Sequence, residues 1–398
     1  MDALARLARL TPLALALACT TAIAVETEFS GAVRVLGEHA DANRTGLLAP
    51  ANTLTQAGQD SLRGELSLKG RAGPIRAEAT LLQSQNHPGK DLTESRVNEL
   101  YWTGQASDWH FTVGKKIVSW DVGQGFRPLD VIQQENRRAL YGATLEGVRV
   151  VMAERYVGDA AWSVVLANPL KDDRAHGQEE SAAALRYYRH SGRADWHAVA
   201  RWGRQTGNRG GAALSWVVSD SLELHGSLLY AQHLERVRAE GQAYTLRTGE
   251  GGWQSALGLN WTGENQLSLI TEYWHDSRSL RSAEWHAWRD QATNVPPWLP
   301  ADARMGHLAM LASAFGNPNL RRDNLLLRAA WTNNVWSPAV DMVYTPADRG
   351  RITTVSLAWQ GNVLRVEGGY RRFDGPHSAI ARNLPDRNRA YLWIKYPF

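Results

Sequence analysis

The stretch 387–398 reads RNRAYLWIKYPF, and it decides the fold of this 398-residue chain. Arg389 and Lys395 fall on one phase of a two-residue period. The apolar residues on the other phase are Ala390, Leu392, Ile394, Tyr396 and Phe398. Such a period is typical of a β-strand with one apolar and one polar face. Because Pro397 has no N–H group for a ladder, we expect pairing to stop at Tyr396.

A last strand that ends in a carboxy-terminal Phe, with Tyr two residues before it, resembles the sorting and assembly signal of Gram-negative outer-membrane β-barrels. The resemblance implies that barrel assembly machinery reads the strand ending at Phe398, and that outer-membrane lipids surround the protein. This stretch alone is also compatible with an edge strand of a soluble β-sandwich. The rest of the chain has to distinguish the two.

The amino terminus has the pattern of an export signal. Two arginines and a mostly apolar run precede the small residues Ala22 and Ala24, so we predict a signal peptide over 1–24 and a single transmembrane domain over 25–398. No stretch approaches the roughly 18 to 20 apolar residues that a spanning helix requires. The one cysteine, Cys19, lies inside the signal, so the exported chain is expected to fold without disulfides.

The charge balance excludes one class of partner. Lys and Arg number 44 against 40 Asp and Glu, and the charges are interspersed, so no basic run indicates nucleic acid. No motif predicts a cofactor or a metal site. The apolar share of 43% suits strands that are apolar on every second residue, as in a membrane barrel.

Short alternating segments recur along the whole chain. In one of them Leu62, Leu66 and Leu68 share a face opposite Arg63 and Glu65. We therefore predict an all-β, antiparallel, up-and-down transmembrane barrel of about 18 strands, or 16 if the weak segments 29–36 and 338–345 are both wrong. The predicted strands are 29–36, 62–69, 75–83, 95–103, 109–120, 144–155, 160–167, 181–190, 195–204, 211–219, 222–232, 253–262, 266–275, 323–332, 338–345, 351–359, 363–372 and 387–398.

Connections and tryptophans give the barrel an orientation. Brief turns alternate with longer connections through most of the chain, as expected for periplasmic turns and outer loops. The longest connection, 276–322, has helical apolar spacing over 301–315. Aromatic rings favour the membrane boundary. The tryptophans predicted to form a periplasmic girdle are Trp102, Trp109, Trp162, Trp196, Trp216, Trp261, Trp331 and Trp359.

If the apolar phase faces lipid, the polar phase faces the lumen. The predicted lumen-wall residues are Arg63, Glu65, Lys69, Arg76, Glu78, Lys116, Arg186, His197, Arg201, Glu272, Arg328, Arg365, Glu367, Arg389 and Lys395. A barrel of this size leaves an aqueous channel unless something plugs it.

The segment GKKIVSWDVGQGFRPLD, residues 114–130, carries a second resemblance. It looks like a strand-and-loop signature of outer-membrane barrels, whose usual form is Gly-Arg-Gln-x-x-x-Trp-Gly followed by Asn-Pro-x-Asp. Alginate-export barrels have a comparable strand. This chain departs in having Lys115-Lys116 in place of Arg-Gln, Asp121 in place of the Gly after Trp, and Arg127 in place of Asn. The resemblance therefore implies a porin-like architecture and leaves the cargo open.

The same segment is predicted to narrow the channel. Gly123 and Gly125 permit a sharp inward turn, and opposed charges on loop and wall would create a transverse field. The predicted constriction residues are Asp121, Arg127, Asp130, Glu135, Arg137 and Arg138. The alternative is a solvated surface loop.

The sequence thus favours a channel for passive diffusion of small polar or charged solutes. One alternative is an export conduit for a polysaccharide or other product, and another is a plugged barrel acting as a receptor or structural protein. We predict no enzyme, because the histidines at 110, 190, 197 and 225 lack a recognisable serine-hydrolase context. The oligomeric state stays open.

Overall fold

The chain forms a closed antiparallel β-barrel in a computed structural model, which describes residues 26–134, 145–171, 179–240 and 243–398. Within these ranges, eighteen strands each pair with their neighbours in chain order, which confirms the predicted fold class. The barrel strands are β1 (Thr27–Ala42), β2 (Asp60–Ala72), β3 (Ile75–His87), β4 (Leu92–Ala106), β5 (Trp109–Lys116), β6 (Val148–Val157), β7 (Ala160–Ala167), β8 (Ala182–Ser191), β9 (Ala194–Gly203), β10 (Gly207–Ser219), β11 (Leu222–Ala231), β14 (Gly252–Thr262), β15 (Leu267–Asp276), β16 (Asp323–Trp331), β17 (Trp336–Thr345), β18 (Gly350–Gln360), β19 (Arg365–Asp374) and β20 (Asp386–Pro397).

The outer loops contain further elements. A hairpin of β12 (Leu234–Glu240) and β13 (Ala243–Gly249) interrupts the connection between β11 and β14. The connection from β15 to β16 holds two helices, α1 (Ser282–Thr293) and α2 (Ala301–Leu311). Only the second helix was expected, and the hairpin was not. Short 3₁₀ turns occur at Ala49–Ala51, Ala312–Gly316 and Ala381–Asn383.

Strands β1 and β20 close the barrel. Their register runs from Ala42 opposite Asp386 to Ala32 opposite Pro397, and Gly31 and Phe398 then exchange backbone hydrogen bonds of 2.7 and 2.8 Å. The expectation that pairing stops at Tyr396 is therefore wrong. Successive residues of a strand hydrogen-bond to opposite sides, so the missing N–H of Pro397 points toward β19. That strand begins only opposite Lys395, so no ladder partner is lost.

The outer surface of the barrel is apolar in the pattern expected for lipid contact. On the closing strands, Val33, Val35, Leu392 and Ile394 are all exposed. Six exposed tryptophans lie at strand ends next to the short turns, namely Trp102, Trp162, Trp196, Trp216, Trp331 and Trp336. In the described part of the chain, no helix has the length and hydrophobicity needed to cross a membrane. The predicted signal peptide, 1–24, lies outside the described residues.

The barrel interior has two different halves. Along β6 to β11 many inward side chains are apolar, and Val150, Val165, Val199 and Leu229 belong to one buried cluster. Residues 117–134, which follow β5, fold into the barrel and cover this cluster. The predicted strand 109–120 therefore ends early, at Lys116, because the chain turns from the ladder into the lumen.

Candidate functional site: the lumen and its inward loop

The inward loop, residues 117–134, is organised around two buried carboxylates. Asp130 accepts backbone hydrogen bonds from Trp120 (2.6 Å) and Asp121 (3.0 Å) and forms an ion pair with Arg127 Nε at 3.1 Å. Asp121 accepts from the backbone N–H groups of Gly123 (3.0 Å) and Leu129. Burial raises the pKa of Asp121 to about 6 and also raises the pKa of Asp130. These bonds hold the loop in a compact shape of its own.

One wall residue anchors the loop to the barrel. The Glu272 carboxylate, buried on β15, accepts backbone N–H groups from Gln124 (2.7 Å), Gly125 (3.0 Å) and Phe126 (2.9 Å). Its Oε2 atom also lies 3.1 Å from His225 Nε2 on β11. A side chain at Gly123 would place its Cβ 2.0 Å from the Phe126 carbonyl oxygen, so the tight fold of the loop requires glycine there.

Apolar packing fixes the rest of the loop. Leu129 is fully buried, and it joins Val118, Trp120 and Val131 in the cluster on the β6 to β11 wall. On the other side, Phe126 packs near Trp274, with ring centroids 6.2 Å apart. The loop thus spans the lumen from β6 to β16.

The predicted constriction residues divide into two sets. Asp121, Arg127 and Asp130 lie in the inward loop, whereas Glu135, Arg137 and Arg138 fall in 135–144, outside the described residues. We expected loop acids to oppose wall arginines, and this is wrong for Asp130, because it pairs with Arg127 of the same loop. Backbone N–H groups of the loop instead donate to wall carboxylates, those of residues 124–126 to Glu272 and that of Ile117 to Glu99.

The loop leaves a cavity of about 1280 Å³ between itself and the wall formed by β15 to β20. Arg328 pairs with Asp341 at 2.7 Å, and Arg365 pairs with Glu367 at 3.2 Å. The charged residues that line this cavity are Arg278, Arg321, Arg328, Arg365, Arg371, Asp341 and Glu367. Arg278 and Arg321 also pair with carboxylates just outside the lining, Asp276 at 2.8 Å and Asp348 at 3.7 Å.

Several predicted lumen-wall residues lie outside that cavity in ion pairs. Glu65 accepts from Arg34 Nε at 2.8 Å, and Lys69 lies 2.9 Å from Glu78. Arg389 forms ion pairs with Asp386 and Glu38. Of the predicted lumen-wall residues, only Arg328, Arg365 and Glu367 line the large cavity. Arg76 and Lys116 line a smaller cavity of about 460 Å³ within β3 to β6.

The remaining predicted wall residues have separate environments. Arg201 is buried and donates to Glu180 (2.7 Å) and Thr206 (2.8 Å) near the outer end of β9. Burial favours a higher pKa for Glu180, but the Thr206 hydroxyl and the Arg201 charge outweigh it and hold that pKa below its usual value. Four predicted wall residues remain. Arg186 lies 3.2 Å from His197 Nδ1, Arg63 is half-buried on β2, and Lys395 is exposed near the end of β20.

Sequence reasoning missed three arginines of the cavity. Arg371 lies on the same strand phase as Arg365 and Glu367, so the alternating pattern could have identified it. Arg278 and Arg321 lie in the long connection between β15 and β16, where no period indicates orientation. Within the described ranges, no group of three or more His, Cys, Asp or Glu side chains could hold a metal ion.

The outer loops gather above the cavity without filling it. Trp285 and Trp288 of α1, Leu308 and Leu311 of α2, and Tyr244 of β13 belong to one buried cluster. The indole N–H groups of Trp285 and Trp288 donate to backbone carbonyls within the same loop. The two tryptophans are therefore packed inside the loop cluster.

A closed barrel with an apolar exterior, a charged lumen and an inward loop defines the outer-membrane porin class of folds. Solved OprD and Occ outer-membrane barrels share this fold. OccK5 (OpdH) of Pseudomonas aeruginosa superposes with a TM-score of 0.55 at 9% identity, over 94% of this chain and 98% of that one. OccAB1 of Acinetobacter baumannii gives 0.55 at 9% identity over 94% and 96%.

The outer membrane protein OprD from Pseudomonas aeruginosa gives a TM-score of 0.51 at 8% identity, over 94% of each chain. No family model and no curated relative matches the sequence. At these identities the similarity shows the fold alone.

Proposed function

We propose that this protein is an outer-membrane channel for passive diffusion of small polar or charged solutes. The observation that carries the proposal is the cavity of about 1280 Å³ that stays open between the inward loop and the β15 to β20 wall. Its charged lining supplies polar partners to solutes that lipid would exclude. The fold shared with outer-membrane porins supports the same location and class.

The alternatives receive less support. A plugged receptor requires a filled lumen, whereas α1 and α2 pack among the outer loops. An export conduit for a polymer requires a wide passage, whereas the inward loop packs against opposite sides of the lumen. We also propose that the strand ending at Phe398 is the contact for barrel assembly machinery, as its exposed apolar face suggests.

Single-channel recording in planar bilayers tests the channel proposal. We expect discrete conductance steps from the purified full-length protein and permeation of small solutes into liposomes. If protein that migrates on gels as a folded barrel gave no conductance, the channel proposal would be overturned. Permeation by long polysaccharide chains would favour the export alternative.

A further inference from the structure

The outward face of the barrel carries a second group of interacting side chains, far from the lumen. The Ser277 hydroxyl lies 3.2 Å from His275 Nε2, and His275 Nδ1 lies 2.8 Å from Asp323 Oδ1. The bond to the Asp323 carboxylate places the imidazole proton on Nδ1. Nε2 is then free to accept a proton from the serine, which is the arrangement of a serine nucleophile, its base and an orienting acid.

Neighbouring residues hold this arrangement in place. The Tyr273 hydroxyl donates to Asp323 Oδ1 at 2.6 Å, which fixes the acid. Arg322 donates to the backbone carbonyl of Ser277 at 3.2 Å. A side chain at residue 252 would place its Cβ 2.7 Å from the Ser277 Cβ, so Gly252 is what leaves room beside the serine.

The position of the group identifies its class of substrate. Tyr273 and His275 share the lipid-facing phase of β15, and Ser277 continues that phase at the outer end, where its N–H donates to the Trp253 carbonyl. Trp253 and Tyr230 are exposed on the same face with ring centroids 5.0 Å apart. Aromatic rings of this kind mark the level of the lipid headgroups.

We propose that Ser277 and His275 are the catalytic residues of an esterase that acts on acyl esters of outer-leaflet lipids, with Asp323 as a positioning residue. The acyl chain would lie against Trp253 and Tyr230, and the ester would reach Ser277 at the headgroup level. This proposal is independent of the channel, because none of these residues lines the cavity.

The chemistry proceeds in two balanced steps. The Ser277 oxygen attacks the ester carbonyl carbon while His275 Nε2 takes the hydroxyl proton. The carbon–oxygen bond to the alcohol then breaks, and His275 returns the proton to the departing oxygen. Water repeats the attack on the acyl-serine, and the carboxylic acid leaves with Ser277 restored. The Arg322 guanidinium, adjacent to Ser277, brings positive charge toward the oxyanion that forms in each step.

Covalent labelling of the full-length protein by a fluorophosphonate tests the proposal. We expect the label on Ser277 by peptide mapping, no label at this position in Ser277→Ala, and a labelling rate about 10²- to 10⁴-fold lower in His275→Ala. Asp323→Asn should also lower the labelling rate of Ser277, and Asp323→Glu should restore part of that rate. A merely structural role of Asp323 would not predict this recovery.

Two variants serve as matched controls. His39 forms a pair with Asp60 at 2.7 Å, and Ser221 lies on a short turn beside Ser219, so His39→Ala and Ser221→Ala should label at the wild-type rate. Heat-modifiable gel mobility selects the folded barrels. An unlabelled Ser277 in folded wild-type protein would overturn the proposal.

Phosphatidylethanolamine vesicles test the substrate class. Fatty acid should be released by wild-type protein and not by Ser277→Ala. A labelled Ser277 without fatty acid release from these vesicles would overturn the assignment to lipid esters.

Discussion

Glu272 is the residue on which the position of the inward loop depends. A buried carboxylate that accepts three backbone N–H groups stabilises them more than a neutral acceptor does, because hydrogen bonds to a charged group contribute about 1.5 to 3 kcal/mol each. All three donors belong to consecutive residues of the loop, 124–126. Loss of this one side chain therefore removes three of the loop's hydrogen bonds to the wall, whereas the bond from the Ile117 N–H to Glu99 remains.

We predict that Glu272→Ala increases single-channel conductance and raises the size limit for solutes, because the loop is released from β15. Glu272→Gln should have an intermediate effect, since an amide oxygen still accepts hydrogen bonds. Glu223→Ala is the control, because Glu223 bonds to Ser215 and Asn260 on the wall. Equal conductance of Glu272→Ala and wild type would contradict the anchoring role.

Asp121 gives the loop a dependence on pH. Burial raises its pKa from 3.8 to about 6, so the packed loop binds a proton more tightly than the released loop does. The associated stability is fully present below about pH 4 and is lost as the pH rises through about 6. We predict that current fluctuations increase between pH 4 and 7, and that Asp121→Asn weakens this dependence, because burial also raises the pKa of Asp130. Current fluctuations of the wild-type channel that do not change with pH would contradict this role of Asp121.

At the level of elements, the inward loop and the β6 to β11 wall fit each other through apolar surfaces. Strands β6 and β7, VRVVMAERYV and AAWSVVLA, carry apolar residues on both faces. An apolar inner face would be unfavourable against water. The loop covers it with Val118, Trp120 and Leu129, so the two elements stabilise each other.

We predict that Leu129→Ala weakens loop packing by about 2 to 5 kcal/mol, the usual cost of truncating a fully buried leucine. The channel should then show frequent transitions to larger conductance. Leu170 is 94% exposed, so single-channel recordings of Leu170→Ala should match those of the wild type. Unchanged recordings from Leu129→Ala would show that hydrogen bonds alone hold the loop.

At the level of the whole molecule, the remaining passage is asymmetric in charge. Four of the five guanidinium groups of the cavity lining pair with carboxylates. The fifth, Arg371, donates to the Thr354 hydroxyl, so the cavity lining keeps a positive charge. Such a lining attracts anions into the passage.

We predict that reversal potentials in a salt gradient report anion selectivity, which falls in the double variant Arg365→Ala, Arg371→Ala. Both residues line the cavity, whereas Arg247 lies in the outer hairpin paired with Glu240. Arg247→Ala should therefore keep the wild-type reversal potential. Cation selectivity in the wild-type channel would refute the assignment of the passage.

The sequence by itself determined the barrel, because a two-residue period is a local property of each strand. The alternation of apolar and polar residues in 387–398 and in the other predicted strands specified the strands, their number and the short turns between them. Alternation also placed Arg328, Arg365 and Glu367 on the inner face beside the cavity. The inward turn near Gly123 and Gly125 was predicted from the conformational freedom of glycine.

Only the tertiary structure decided which residues meet across the barrel. Glu272 and the loop backbone are about 150 positions apart in the chain, and no sequence period relates them. The same holds for Asp323 and His275, because His275 precedes the long connection and Asp323 follows it. Local periodicity fixes which face a side chain occupies, whereas barrel closure and loop packing fix its partners.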